Sequence, residues 1–315
     1  MTKRISCTKE DLARVEKHPE QARFFCQELE AGHILFFPEM PFAFPKEDQA
    51  FLIGQKQTEN AGRKNIAYKP HKDSITNLVT TNPDDRDVFL TIMRRYSYGV
   101  EEFLGKFLSP YQASWKLDYA SFRPMQEKGR NLRKRARNDL LHIDAFPSRS
   151  VYGARILRFF TNIHPEKPRK WITADTFSQL LEKFSNEEIF KALKKRPSTK
   201  ALFSRTMTKC ASFLGLPLSP RSTYDDFMLQ LHHFLKEKDD YQKNCPKSYW
   251  EFPPQSCWLA FTDQLTHAVL EGQFALEQTL LVSRDGLLKP KNAPISLLEH
   301  FSKKTLVSRS ARLFQ

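Results

Sequence analysis

The hydrophobic period of the chain switches repeatedly between helical and strand-like, and this restricts the available folds more than any other feature. Residues 9–31 and 83–108 carry apolar side chains three and four apart, Leu12, Val15, Phe24, Phe25 and Leu29 in the first, Val88, Phe89, Ile92, Met93, Tyr96, Val100, Phe103 and Leu104 in the second. That spacing predicts helices. Between them, His33-Ile34-Leu35-Phe36-Phe37-Pro38 reads as a buried strand closed by proline. The period drops to two over 117–124, 140–146 and 152–163, becomes helical again from 174 to about 238, and drops once more over 249–252, 256–261, 265–270 and 274–282. Neither group of strands makes a full sheet, and each is too apolar to stand alone, so the two are expected to close on each other. The expected fold is α+β in one domain over 1–315. It has N-terminal helices plus a first strand in 1–108, a β core from 109–163 and 247–283, a helical insertion over 164–246 and a basic segment over 284–315.

Composition removes several classes. With 40% hydrophobic residues, 12% aromatic residues and 26 Phe, the chain buries enough apolar surface to offset its ordering entropy, which excludes disorder as the main state. Glycine is scarce at 10, and neither G-x-G-x-x-G nor G-x-x-x-x-G-K-[ST] occurs, so no loop offers the amide cradle of a dinucleotide fold or P-loop. No apolar run approaches the ~18 residues that span a bilayer, and Met1-Thr2-Lys3-Arg4-Ile5-Ser6-Cys7 leads into charge, so a cytoplasmic location is expected. Cys7, Cys26, Cys210, Cys245 and Cys257 are scattered without a C-x-x-C, which suits reduced thiols and offers neither a disulfide frame nor a zinc site.

The formal charge of +14 is uneven. Residues 123–137 hold seven basic side chains against Glu127, and 284–315 hold seven against Asp285 and Glu299. Both segments read either as solvated faces or as surfaces for an anionic partner. No helix-turn-helix, finger or RNP pattern accompanies them, so nucleic acid is not the expected partner. Leu297, Leu298 and Phe301 fall at helical spacing beside Lys303 and Lys304, as in a helix lying on a membrane surface, but docking on the protein's own core suits them better.

Four histidines have an acid two residues on: His18-Pro19-Glu20, His71-Lys72-Asp73, His142-Ile143-Asp144 and His164-Pro165-Glu166. Only His142 and Asp144 lie inside a strongly apolar stretch, Leu140-Leu141-His142-Ile143-Asp144-Ala145-Phe146, where residues two apart share one face of a strand. A buried carboxylate is costly unless paired or metal-bound. A third ligand would complete the two-histidine, one-carboxylate set that leaves positions open on a non-haem iron(II), and His267, flanked by strand-like apolar residues, is the candidate. A hydrogen bond that merely orders the sheet fits His142 and Asp144 equally. His232-His233 is a weaker metal candidate, because adjacent helix positions point apart. In the next strand Arg158, Phe160 and Asn162 share a face and Arg155 takes the other. Parity alone leaves the inward face open, and the burial Phe160 needs favours Arg158 inside, where its planar fork suits a carboxylate.

The stretches Arg137-Asn138-Asp139-Leu140-Leu141-His142-Ile143-Asp144-Ala145-Phe146-Pro147-Ser148-Arg149 and Arg155-Ile156-Leu157-Arg158-Phe159-Phe160-Thr161-Asn162-Ile163 resemble the Kdo hydroxylase family. So does Trp258-Leu259-Ala260-Phe261-Thr262-Asp263-Gln264-Leu265-Thr266-His267-Ala268, and the likeness extends more loosely from about residue 34 to 282. These are iron(II)- and 2-oxoglutarate-dependent dioxygenases acting with O2 on 3-deoxy-D-manno-oct-2-ulosonic acid (Kdo), the acidic sugar of the lipopolysaccharide inner core. The resemblance implies a double-stranded β-helix (jelly-roll, cupin-like) core with flanking and inserted helices, and iron ligands at His142, Asp144 and His267. It implies hydroxylation at C3 of Kdo on a lipid A precursor, with peripheral contact to the inner membrane.

Many members of the wider superfamily place an arginine in the final strand for the cosubstrate's far carboxylate, whereas this chain has Leu276-Glu277-Gln278-Thr279 there. The expected partner shifts to Arg158, with Arg123, Asn162 and Gln278 behind it. Arg133, Arg135 and Arg137 are the expected contacts for the sugar carboxylate or lipid A phosphates. The alternatives are a 2-oxoglutarate oxygenase for another sugar or a protein side chain, and a non-catalytic protein binding anionic glycolipid or nucleic acid.

Overall fold

Pro19 cuts the first helical stretch in two. Helix α1 (Lys9–Lys17) starts from a reciprocal cap between Thr8 and Asp11. Helix α2 (Pro19–Glu30) begins on the proline itself, because the residue before proline avoids helical backbone and His18 sits at φ −131°, ψ 92°. After α3 (Lys46–Gly54) comes the 25-residue α4 (Pro83–Phe107), which the Asn82 side chain caps by accepting from Asp84 N. Its stripe of Phe89, Ile92, Met93, Tyr96, Val100 and Leu104 is buried, as the spacing predicts. The computed structural model describes residues 2–55, 65–80, 82–195 and 221–308, so Cys210, Arg309, Arg312 and the middle of the expected insertion lie outside the described residues.

The strands form two sheets. The larger runs β1 (Arg4–Ser6), β2 (Ile34–Phe37), β9 (Cys257–Phe261), β6 (Arg155–Asn162), β11 (Ala275–Val282), β5 (Trp115–Arg123), β3 (Ile66–Lys69), β4 (Ser74–Thr76). The smaller runs β10 (Leu265–Glu271), β7 (Arg169–Thr176), β8 (Ser248–Phe252). All these pairs are antiparallel except β1 with β2. Early and late strands alternate in the larger sheet, which is the closure expected of two incomplete strand groups. A cluster of Ile34, Phe36, Phe160, Trp171, Phe252 and Trp258, drawn from both sheets, fills the space between them. Helix α4 covers the far side of the larger sheet, where Ser97 Oγ donates to Gln278 Oε1 at 2.7 Å.

Two boundaries differ from expectation. The segment 164–246 is not wholly helical: it opens with β7, and then holds α5 (Phe177–Phe184), α6 (Glu188–Lys194), α7 (Thr223–Glu237) and α8 (Asp239–Asn244) among the described residues. Residues 140–146 form no ladder strand either, making only a single bridge, His142 to His267. The outer edge of that segment is closed by side chains of the helices. Gln242 on α8 accepts from Leu141 N and donates to Leu141 O, each at 2.8 Å, and His232 on α7 takes Ile143 O at 2.7 Å, so side chains occupy the groups a neighbouring strand would use. Strands β1, β3 and β4 have only three or four residues, too few for alternation to show. Helix α9 (Pro294–Ser302) docks on the core through Ile295 and Leu298. No helix among the described residues is long and apolar enough to cross a membrane.

Gln242→Ala should strip two partners from Leu141. The expected loss is about 1–3 kcal/mol, the usual cost of orphaning buried backbone groups, read as a lower midpoint in denaturant unfolding. An unchanged midpoint would show that the edge is held by other means.

Candidate metal centre

His142 and His267 face one another because their backbones exchange two hydrogen bonds, His142 N to His267 O at 3.1 Å and His267 N to His142 O at 2.9 Å. In such a pair both side chains leave from the same face. Each imidazole is then fixed by the carbonyl two residues upstream: Nδ1 of His142 lies 2.7 Å from Leu140 O, and Nδ1 of His267 lies 3.0 Å from Leu265 O. A carbonyl only accepts, so each Nδ1 carries the proton and each Nε2 presents a bare lone pair. Both point at Asp144, with His142 Nε2 3.8 Å from Oδ1 and His267 Nε2 3.9 Å from Oδ2. Asp144 is anchored by its own backbone N–H on Thr262 O, and its Oδ2 is buried without a hydrogen bond.

The three donor atoms lie within 4.8 Å of one another and all three residues are buried. Burial pushes both histidines below their ordinary value, so they are neutral at pH 7. Burial alone would raise Asp144, but the Arg158 guanidinium and His267 outweigh it and hold the carboxyl at about 2. Two neutral imidazoles and one ionised carboxylate form a donor set that fits a divalent transition metal. Trp171 stacks on His267 at 5.2 Å between ring centroids. His232 stands edge-on to His142 at 4.9 Å but is outside the three-donor group, and its Nδ1 is engaged by Ile143 O.

Behind the three donors lies a buried alternation of charge. Arg158 points inward, its guanidinium 3.2 Å from both Asp144 and Glu277. Glu277 in turn receives Arg123 at 2.6 and 2.9 Å and Ser121 Oγ at 3.1 Å. Arg123 and the fully buried Arg169 both lie 3.6 Å from Glu127. Burial pushes Glu277 up and the flanking Arg123 and Arg158 reverse it, leaving the group below its usual value. Glu277 is not among the residues expected at the site; its one sequence signal is that it is the single acid in the otherwise uncharged Ala275–Val282.

The other candidates separate. Gln278 is not brought to this site: it faces α4, bonded to Ser97, Asp118 O and Thr279 O. Asn162 stitches the sheets together, donating to Lys167 O and Phe252 O. Arg135 pairs with Glu237 and Arg137 with Asp139, whereas Arg133 is exposed with no side-chain partner among the described residues.

Gly272 ends the alternation. Its φ is +143°, and a Cβ there would stand 2.6 Å from Arg169 Cγ. Gly272→Ala should therefore shift Arg169 and cost about 1–3 kcal/mol through backbone strain and overpacking, measurable as a lower melting temperature.

A family model described as 3-deoxy-D-manno-oct-2-ulosonic acid (Kdo) hydroxylase matches residues 13–305. Among curated proteins no sequence matches. Among solved structures, the Kdo hydroxylase KdoO, a non-heme Fe(II) alpha-ketoglutarate dependent dioxygenase in complex with alpha-ketoglutarate and Fe(III), is 32% identical over 100% of both chains, with a TM-score of 0.83. The apo form is 33% identical over 94% of each chain at 0.79, and the cobalt(II) complex 33% identical over 93% of this chain and 94% of that one at 0.80. With the motif blocks, the donor set and a match over nearly the whole length in agreement, this chain belongs to the Kdo hydroxylase family.

Proposed function

We propose that this chain uses iron(II), 2-oxoglutarate and O2 to hydroxylate C3 of Kdo carried on a lipid A precursor. The observation that carries the reading is the convergence of two Nε2 lone pairs and the Asp144 carboxylate in one buried spot. His142, Asp144 and His267 would hold the iron from one side. When bound, the metal and its cosubstrate supply the oxidising power, with 2-oxoglutarate decarboxylated to succinate and one oxygen placed on the sugar. Arg158 would meet the far carboxylate of 2-oxoglutarate with its planar fork, and Arg123 would support it through Glu277. Asn162 and Gln278 have no part in this reading, since their amides are engaged elsewhere. Trp171, Phe160 and Trp258 form a dry wall beside His267 that keeps solvent from the reacting bond.

The finer fold reading is a double-stranded β-helix. Its support is the larger sheet's order β2-β9-β6-β11-β5 facing β10-β7-β8, with the ligand-bearing segment added at His267. Of Arg133, Arg135 and Arg137, Arg133 is the one without an ion pair among the described residues and so the one open to a lipid A phosphate, because Arg135 and Arg137 hold acids of the protein itself. Peripheral contact with the cytoplasmic face of the inner membrane fits a lipid-linked substrate.

The test is mass spectrometry of Kdo-lipid A incubated with protein, iron(II) and 2-oxoglutarate. The expected product carries one additional oxygen on the sugar, with matching succinate. His267→Ala should lose more than the roughly 10–100-fold that follows from disturbing outer-shell partners. Succinate without oxygenated sugar would sink the substrate assignment while sparing the oxygenase.

The protonation states give a second expectation. At pH 7 the imidazoles are already neutral and the carboxyl ionised, so no ligand must shed a proton on binding metal. Cobalt(II) titration calorimetry should give the same heat in buffers of different ionisation enthalpy. Affinity should also fall less between pH 7 and about 6 than it would for ordinary imidazoles of pKa about 6.5, because both rings are shifted downward.

A further inference from the structure

A second group of cations and rings lies beside the metal ligands and is more exposed than they are. Phe146, two residues after Asp144, has the Arg158 guanidinium 5.5 Å and the Arg149 guanidinium 3.5 Å from its ring centroid. Arg149 also lies 4.4 Å from the centroid of Tyr119, with Lys69 Nζ at 5.4 Å and the His71 ring stacked at 5.9 Å. Contacts therefore lead from Asp144 through Arg158, Phe146, Arg149 and Tyr119 to Lys69 and His71. Phe146 is buried, Arg149, Tyr119 and Lys69 are half-buried, and His71 is exposed.

Two features of the backbone build this group. On β5, Asp118 and Tyr119 together oppose the single residue Thr279, a bulge between the pairs Leu280–Leu117 and Gln278–Ala120. Thr279 pairs on its other side with Arg158, so the bulge re-aims Tyr119 in the row that carries the inward guanidinium. Asp118 then accepts from Arg149 at 2.7 and 2.8 Å and fixes it against the two rings. On the other side, the turn Pro70–Lys72 ends at Asp73, whose backbone is left-handed at φ 43°. Arg94 of α4 and the Tyr68 hydroxyl take the Asp73 carboxylate. The acid nearest the turn is thus engaged by α4, and Lys69 makes no ion pair among the described residues.

We infer that Lys69, held at the Tyr119 ring beside Arg149, is the cation that binds the carboxylate of the acidic sugar. This rests on the dioxygenase reading and adds a place for the substrate's own charge, which the segment 123–137 does not supply at the metal. A charge-assisted hydrogen bond to a carboxylate needs a cation whose neighbours do not already neutralise it, which describes Lys69. The fixed turn and the bulge remove the ordering cost that a free surface lysine would incur.

The test compares the parent with Lys69→Gln, and with Lys69→Arg as the conservative rescue. Sugar affinity and uncoupled 2-oxoglutarate turnover are measured separately. Lys69→Gln should raise KM for the Kdo substrate about ten-fold or more, in line with loss of one charged hydrogen bond. Turnover of 2-oxoglutarate without sugar should be unchanged, and Lys69→Arg should recover most of the affinity. Equilibrium binding of a carboxyl-reduced sugar analogue should be equally weak to parent and variant. The inference is overturned if Lys69→Gln leaves KM unchanged, or if its effect persists with the reduced analogue and vanishes once the lipid phosphates are removed. Absence of 2-oxoglutarate turnover in the parent would instead defeat the dioxygenase reading, and the direct binding comparison would still decide the subsite.

Discussion

The pair of backbone hydrogen bonds between His142 and His267 is the constraint on which the site depends. It joins a segment before the helical region to a strand after it, and it determines that both imidazoles leave the same face. Each side chain then needs one further bond, to its own carbonyl two residues back, to have its tautomer and direction fixed. Trp171 against one ring and His232 against the other limit rotation of what remains.

The alternating arginines and carboxylates answer a different problem. Asp144, Arg158, Glu277, Arg123, Glu127 and Arg169 are all largely withdrawn from water, and a lone ion there would be prohibitive. Arranged in alternation, each charge has an opposite neighbour, and the set is neutral when all six are ionised. A divalent cation at the Asp144 end and a dicarboxylate near Arg158 would again sum to neutrality. Removing one member leaves its neighbour stranded, so single substitutions in this row should be far more damaging than replacing a pair by apolar groups. Glycine at 272 belongs to the same design, since only the absent side chain admits Arg169 at the end of the row.

Long periodic elements were legible in the sequence. The stripe of α4 and the short apolar runs of β9, β10 and β11 show both type and place, and a histidine and aspartate two apart in an apolar stretch mark two of the three donors that the fold brings together. What escaped was context. Strand β7 does not stand out from the helical region because Arg169-Lys170-Trp171-Ile172 begins with two basic residues, and nothing local reveals that Arg169 is buried against Glu127. The charge of residues 123–137 was visible, but not that Glu237 and Asp139 lie opposite two of its arginines. The bulge that turns Tyr119 could not be read, since it exists only relative to the partner strand.

The side-chain closure of residues 141–143 has a further result. The ligand-bearing segment forms the rim of the smaller sheet, and an open rim of amides and carbonyls is a template on which another chain can add a strand. Gln242 and His232 fill that rim with an amide and an imidazole from two helices, so it cannot be extended by a neighbour. The place where the protein must keep its backbone most exactly shaped is also a place where it is sealed against self-association.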